Sequence, residues 1–314
     1  MKKKVSVCIP CRNEVENVQP LAEELVKYME QMPQFDFEVI FIDNCSTDGT
    51  QNKLREICSK ETRIKAIFNA KNFPWGSGLH VLFQAQGDCI ISIPADFQVP
   101  LDLIPKMIAE WENGAMVVAL IKKTKKHDKI RLFRKLYYKM SGVLSSHNNI
   151  SGFTGSGLYD KKFMNMCKTT LNDPFLLEYM VAHFASPLVK MLYEENPRRS
   201  GKSNNSFVSL IDIAIVRFVN VSDTAPRYAI IAGLVMGMAS FLISIYYLVR
   251  KLLDWHHFPV GIAPLVIGMF FLASVQLIFI GIIGKYVITI SDRQRNMPFV
   301  IEKERINFTG EPVN

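Results

Sequence analysis

Two long stretches of the chain have no charge at all. Tyr228 to Val249 and Phe258 to Gly284 contain no Asp, Glu, Lys or Arg. Each exceeds the roughly 20 residues that a helix needs to cross about 30 Å of hydrocarbon. Neither shows the polar stripe of a buried core helix, so both are read as transmembrane helices. Other absences exclude whole classes. Cys8-x-x-Cys11 has no second ligand pair at zinc spacing, and all six cysteines fall in a part of the chain expected in the cytoplasm. Neither a zinc site nor a disulfide framework is expected. The formal net charge of +8 comes with no helix-turn-helix, zinc-finger or RNA-binding signature. Nucleic acid is therefore excluded as partner, and a membrane surface or a phosphate-bearing substrate explains the charge better. No signal-peptide pattern precedes the first strand, because the apolar run after the basic Met1–Lys4 is short and ends at Pro10-Cys11-Arg12. The N-terminal part is thus expected to stay in the cytoplasm, with two spans returning the C-terminus to the same side. Lys285, Arg293 and Arg295 fit the positive-inside preference, while Arg250 and Lys251 between the spans weigh against it.

What is present in the first half is an alternation of strand and helix patterns. Strands are predicted at Lys4–Ile9, Phe37–Ile42, Ile64–Phe68, Cys89–Ile93 and Ala115–Ile121. Helices are predicted near Glu14–Met29, Gln51–Ser59, Trp75–Gln86 and Leu101–Glu112. This order implies an α/β fold with a mostly parallel sheet covered on both faces. In such sheets ligands bind where the carboxyl ends of the strands emerge. Three polar clusters, Arg12–Glu14, Asp43–Asp48 and Asp96–Gln98, fall at those ends. After Ile121 the character changes: Lys122–Lys139 carries nine Lys or Arg among Leu, Phe and Tyr, and Ile150–Gly157 is rich in Gly, Ser and Thr. Phe207–Phe218 is amphipathic with few charges and reads as a helix lying in the membrane interface. The chain is accordingly divided into a cytoplasmic domain (1–204), an interfacial helix and linker (205–226), two transmembrane helices (227–289) and a cytoplasmic tail (290–314).

The residues resemble family 2 glycosyltransferases that make polyprenyl-phosphate sugars, of the dolichol-phosphate mannose synthase and bactoprenol glucosyltransferase type. The marks are Ile9-Pro10-x-x-Asn13-Glu14, Ile42-Asp43-x-x-Ser46-x-Asp48-Gly49-Thr50, Gly87-Asp88 and Ala95-Asp96-Phe97-Gln98-x-Pro100. Arg198-x-x-Gly201-x-Ser203 and the second-span ending Gly281-Ile282-Ile283-Gly284-Lys285-Tyr286 follow. Order, spacing and coupling to two C-terminal spans make the match specific. The resemblance implies a glycosyltransferase A-type nucleotide-sugar-binding domain that transfers a sugar, with inversion, to polyprenyl (undecaprenyl) phosphate. UDP-sugars are the favoured donors, and a homo-oligomer is expected.

By the same resemblance, Pro10, Asn13, Glu14, Asp43 and Asn44 border the nucleotide. Asp96 and Gln98 hold Mg²⁺ or Mn²⁺, hard cations that take oxygen ligands and neutralise the departing diphosphate. Read as an extended segment, Asp96 and Gln98 would share one face. Asp160 falls where the family places an Asp sometimes assigned as base, although an orienting or structural role reads as readily. Lys122, Arg131, Arg134, Arg198, Arg199 and Ser203 are the candidates for the acceptor phosphate. The departures are Pro94 where a first metal Asp would stand, Val99 after Gln98, Asn44 as second member of the usual Asp-Asp pair, and Asn204 for a Lys. Asn44 both donates and accepts, so base choice is expected to differ from the family's usual one. Two rivals stand beside this reading. One is a processive polysaccharide synthase, which the lack of Gln-x-x-Arg-Trp and of further spans disfavours. The other is a membrane scaffold or flippase partner with a decayed site.

Overall fold

The computed structural model describes residues 2–74, 76–123, 150, 152–171, 176–197 and 298–308, with scattered helical positions between Met238 and Ile290. The alternation expected from the sequence is present as β1 (Lys4–Cys11), α1 (Val15–Gln31), β2 (Asp36–Asp43), α2 (Thr50–Lys60), β3 (Ile64–Asn69), α3 (Gly76–Gln84), β4 (Cys89–Ser92), α4 (Leu103–Glu112) and β5 (Val117–Lys122). It continues through β6 (Phe153–Asp160), α5 (Lys161–Thr170), α6 (Leu176–Phe184), β7 (Leu188–Tyr193) and β8 (Glu302–Ile306), which sequence reasoning did not assign.

The strands form one eight-stranded sheet in the order β7-β5-β6-β4-β1-β2-β3-β8. β1 runs parallel to β2 and β4, β2 to β3, and β5 to β7. β6 and β8 run against their neighbours. Apolar runs such as Val5–Ile9 and Val39–Ile42 are buried throughout, as strands covered on both faces must be. On one face Val18, Leu21 and Leu25 of α1 pack with Leu54 and Met107; on the other, Leu79 and Leu82 of α3 pack with Phe163 and Val181. Gly157 lets β6 fit against β5: a Cβ there would lie 2.2 Å from the Val118 carbonyl oxygen.

The pairing registers fix which ends coincide. β5 leaves the sheet at Lys122 opposite Tyr193, where β7 also leaves, and β6 enters at Phe153 opposite Ile121. β8 enters at Glu302 opposite Asn69. All these crossings lie at the carboxyl end of the parallel strands, beside Cys11, Asp43 and Ser92. Every connection between the sheet and the stretches 124–149, 198–227 and 291–297 is therefore made at one end. The sheet also extends into the segment read from sequence as a tail.

Among the described residues no helix is long and apolar enough to cross a membrane. Most of the two uncharged runs, and all of Phe207–Phe218, lie outside the described residues. The positions that are described within or beside those runs include Met238, Leu242, Leu265, Met269, Leu272, Ile280, Ile283, Val287 and Ile290, all helical and all exposed.

A buried carboxylate anchors the opposite end of the sheet. Glu38 accepts from Ser6 Oγ at 2.5 Å, Gln86 N at 2.8 Å and Lys65 Nζ at 2.7 Å, with Lys4 Nζ 3.0 Å away. Burial pushes its pKa up, but bonds from Lys65, Ser6 and Gln86 outweigh that and hold it below the usual value. Its contribution to stability is complete above the unfolded pKa and lost as pH falls through the lower folded one. Glu38→Gln should cost about 3 kcal/mol by leaving the buried Lys65 ammonium uncompensated. A denaturation midpoint unchanged at pH 7 would contradict this.

Candidate active site

Asp43 ends β2 fully buried. Its Oδ2 accepts from Ser46 N at 3.0 Å and from Gln51 Nε2 at 2.7 Å, while Oδ1 is buried with no hydrogen-bond partner among the described residues. A buried acceptor without a donor is rare and marks a place for a ligand group. Around it the β1–α1 and β2–α2 connections are laced together. Asn13, in the left-handed region at φ 56°, donates its N–H to Ser46 Oγ and accepts from Thr47 N. Glu14 N donates to Thr50 Oγ1, and Val15 N donates to Asp48 Oδ2. Burial raises the Asp48 pKa, but donors from Thr50 and Val15 outweigh it and keep the carboxyl below its usual range. Pro10 completes this wall as the penultimate residue of β1.

Asn44 has a different job from the one expected. Its Oδ1 accepts from Phe73 N at 2.7 Å and Asn69 Nδ2 at 3.1 Å, and its Nδ2 donates to Asn72 Oδ1 at 2.7 Å. Both halves of the amide are engaged within the protein. Asn44 therefore holds the β3–α3 connection beside Asp43 instead of presenting a free donor and acceptor to a base.

The β4–α4 connection carries Asp96, almost fully buried, and Gln98, partly exposed. The segment is a turn, not the extended stretch assumed from sequence. Phe97 sits at φ 59°, and Asp96 Oδ1 accepts from Gln98 N at 3.1 Å. The two are joined by that backbone bond, and no extended face is formed for both side chains to share. Asn196 clasps the same turn, its N donating to Gln98 O at 3.1 Å and its Nδ2 to Phe97 O at 3.4 Å. The Tyr193 phenol is pushed upward by burial first, then by the charges of Glu195 and Asp96. Asp96, with the Gln98 amide, offers hard oxygen donors that fit Mg²⁺ or Mn²⁺ when a diphosphate supplies further ligands. Among the described residues no cluster of three His, Cys, Asp or Glu could hold a metal alone.

Two expectations are corrected. Asp160 pairs with Cys89, at the start of β4, three strand residues from Ser92 and toward the end opposite Asp96. Its Oδ1 accepts from Lys162 N at 2.7 Å as the N-cap of α5, and its Oδ2 accepts from Trp111 Nε1 at 2.8 Å. It is a structural cap, not a catalytic residue. Lys122 lies at the correct end but forms an ion pair with Glu195, so its charge is already partnered. Arg131, Arg134, Arg198, Arg199 and Ser203 lie outside the described residues; Arg198 follows Asn196 by two positions in sequence. Asn69, Asn72 and Asn196 were missed. Asn196-Pro197, three residues past the end of β7, was a turn signal that could have flagged the last of them.

A family profile described as glycosyl transferase family 2 matches residues 6–171, which takes in both polar walls and the Asp96 turn. The chain belongs to that family. It is a glycosyltransferase. The SfII prophage-derived bactoprenol glucosyl transferase of Shigella flexneri is 26% identical over 309 residues, covering 96% of this chain and 98% of that protein. The undecaprenyl-phosphate 4-deoxy-4-formamido-L-arabinose transferase of Proteus mirabilis is 27% identical over 314 residues, covering 96% and 93%. Among solved structures, mannosyl-3-phosphoglycerate synthase from Rubrobacter xylanophilus aligns with a TM-score of 0.48 at 15% identity, covering 69% of this chain and 73% of that one.

The network around Asn44 makes a prediction for this glycosyltransferase. In Asn44→Asp the carboxylate still accepts from Phe73 and Asn69, and Asn72 need only turn its amide. Preference among UDP, GDP and CDP donors should therefore keep its order. Asn44→Leu strands buried donors at a cost of about 1–3 kcal/mol and should weaken all donors alike. A reordered preference in Asn44→Asp would return Asn44 to the base.

Proposed function

We propose that this glycosyltransferase moves a sugar from a nucleotide-sugar, UDP-sugars favoured, to polyprenyl (undecaprenyl) phosphate at the cytoplasmic face of a bacterial inner membrane. One observation carries the reading: all connections from the sheet to the segments leading into and out of the uncharged runs lie at the end that bears Asp43 and Asp96. A polyprenyl tail stays in lipid, so an enzyme using that acceptor has to turn its site toward the bilayer. The exposed apolar helical positions between Met238 and Ile290 suit lipid contact, and the names of the two relatives from Shigella flexneri and Proteus mirabilis agree with this acceptor.

The chemistry follows from the acceptor. A phosphate monoester has a second pKa near 6 and is largely dianionic at pH 7. It attacks already deprotonated, so a strong general base is unnecessary, and the capping role of Asp160 leaves no gap. Attack on the anomeric carbon from the side opposite the diphosphate inverts that centre. Asp43 Oδ1 is the acceptor for an N–H of the base, and Asp96 with Gln98 would hold Mg²⁺ or Mn²⁺ on the diphosphate. When bound, the cation neutralises charge on the leaving group. Cationic help for the acceptor phosphate falls to Arg198 and Arg199, which follow the Asn196 clasp on the Asp96 turn.

Radiolabelled sugar transfer to undecaprenyl phosphate tests the proposal. Asp96→Asn should reduce transfer at least a hundredfold and weaken donor binding in Mn²⁺. Undiminished activity in Asp96→Asn, or in excess chelator, would remove the metal role, and no transfer by the native chain would remove the reading. Guanidinium suits bidentate phosphate binding better than ammonium does. Arg198→Lys should therefore cost about 1.5–3 kcal/mol, roughly ten- to a hundredfold in acceptor-dependent rate. Donor affinity should stay unchanged. An equal loss of donor binding would move Arg198 to the diphosphate.

A further inference from the structure

The chain returns from the second uncharged run to its own sheet, and it does so against the donor side. Ile301 O accepts from Ala70 N at 2.8 Å, immediately before the Lys71–Phe73 turn. Phe299 lies against the start of α3: a Cβ on Gly76 would sit 2.2 Å from the Phe299 carbonyl oxygen, a contact that only glycine permits. β8 then pairs with β3 from Glu302 to Ile306. Side chains fasten it. Glu302 takes His80 Nε2 at 2.5 Å and pairs with Arg305, which also donates to Gln84 Oε1 at 2.8 Å. Arg55 pairs with Glu304 at 2.7 Å, and Asn307 Nδ2 donates to the Cys58 and Ile64 carbonyls. From Ala70 the path is short. Asn72 and Phe73 bond to Asn44, and Asn44 adjoins Asp43 with its unmet Oδ1.

We infer that Pro298–Ile306 is a strap that positions the donor side of the site, with Phe299 and Ile301 acting as positioning residues through Gly76 and Ala70. The strap holds the Lys71–Phe73 turn where it supports Asn44, and through Asn44 the pocket edge at Asp43. Because it continues directly from residue 297, the segment that follows the second uncharged run bears on nucleotide binding without touching nucleotide. Linkage makes the effect reciprocal: whatever the strap adds to nucleotide affinity, bound nucleotide adds to strap docking. The inference rests on the donor reading of the Asp43 site.

The test uses the full chain, with UDP, GDP and CDP as probes and amide hydrogen exchange as a second readout. Nucleotide binding by the native chain tests the donor reading itself; failure to bind any of the three removes that reading, and the strap's role in it. Given binding, nucleotide should slow exchange at residues 300–306, although no nucleotide contacts them. Gly76→Val, and separately the double variant Glu302→Gln/Arg305→Gln, should speed exchange at 70–73. Both should weaken nucleotide binding about tenfold, as expected when the competent arrangement falls to about a tenth of the population. The acceptor KM should stay within twofold. The double variant leaves α3 intact and covers the case in which Gly76→Val fails to fold. Faster exchange at 70–73 with nucleotide affinity unchanged would overturn the strap, as would an equal rise in donor and acceptor KM, which marks general destabilisation.

Discussion

Parallel strands deliver all their carboxyl ends to one side of a sheet, and the backbone groups released there have to find partners. In this chain they find them in side chains of neighbouring connections. Asp48 takes the N–H of Val15, Asn13 takes that of Thr47, Asn44 takes that of Phe73, and Asn196 donates to the carbonyls of Phe97 and Gln98. Each connection is thus fixed by the next. Among the described residues two buried side-chain oxygens remain unmet after this mutual satisfaction, Asp43 Oδ1 and Asn69 Oδ1, at the ends of the neighbouring strands β2 and β3.

The same constraint bears on which carboxylates and cations are already engaged within the protein. A carboxylate at a strand end is available only if its position has not been claimed by capping. Asp160 is claimed twice, by Lys162 N and Trp111 Nε1, and it sits toward the other end of the sheet. Lys122 is claimed by Glu195. Sequence position alone cannot show the claims of Trp111 and Glu195, which lie 49 and 73 residues away along the chain.

Legibility followed the same division. The strands from β1 to β5 were readable because Val, Ile and Phe runs buried on both faces leave a continuous apolar signal. β6 was not, because Phe153-Thr154-Gly155-Ser156-Gly157 has the composition of a loop. Gly157 is there for close approach to Val118, a reason visible only with the partner strand in place. β8 was hidden differently. Glu302-Lys303-Glu304-Arg305-Ile306 is charged in the manner of an exposed tail, yet those charges pair with Arg55 and His80 across the sheet edge. Asp43, Asp96, Asn13 and Glu14 were legible as candidate site residues through their motifs. The Asn44–Asn69–Asn72 network was not, since it joins strand ends that meet only after folding.

The two sheet edges have a shared property that bears on how such a site could be held. β7 runs into the segment that continues through Arg198, and β8 receives the chain from the second uncharged run. With eight strands spaced about 4.8 Å apart, these attachments stand roughly 34 Å from each other, across the full width of the sheet. One tether would let the domain pivot about a point. If, as proposed, both attachments lead to the membrane, two tethers at opposite edges, both entering at the same end, remove that freedom about the axis perpendicular to the line joining them. On the proposed reading, this is what an acceptor confined to the bilayer surface requires. The phosphate cannot rise to meet a tilted site, so the reacting geometry depends on the height and inclination of the strand ends. Leu192 and Ile301, both exposed and both at that end of the two edge strands, would then lie against the interface on either side of the site, where apolar side chains are favoured over charged ones.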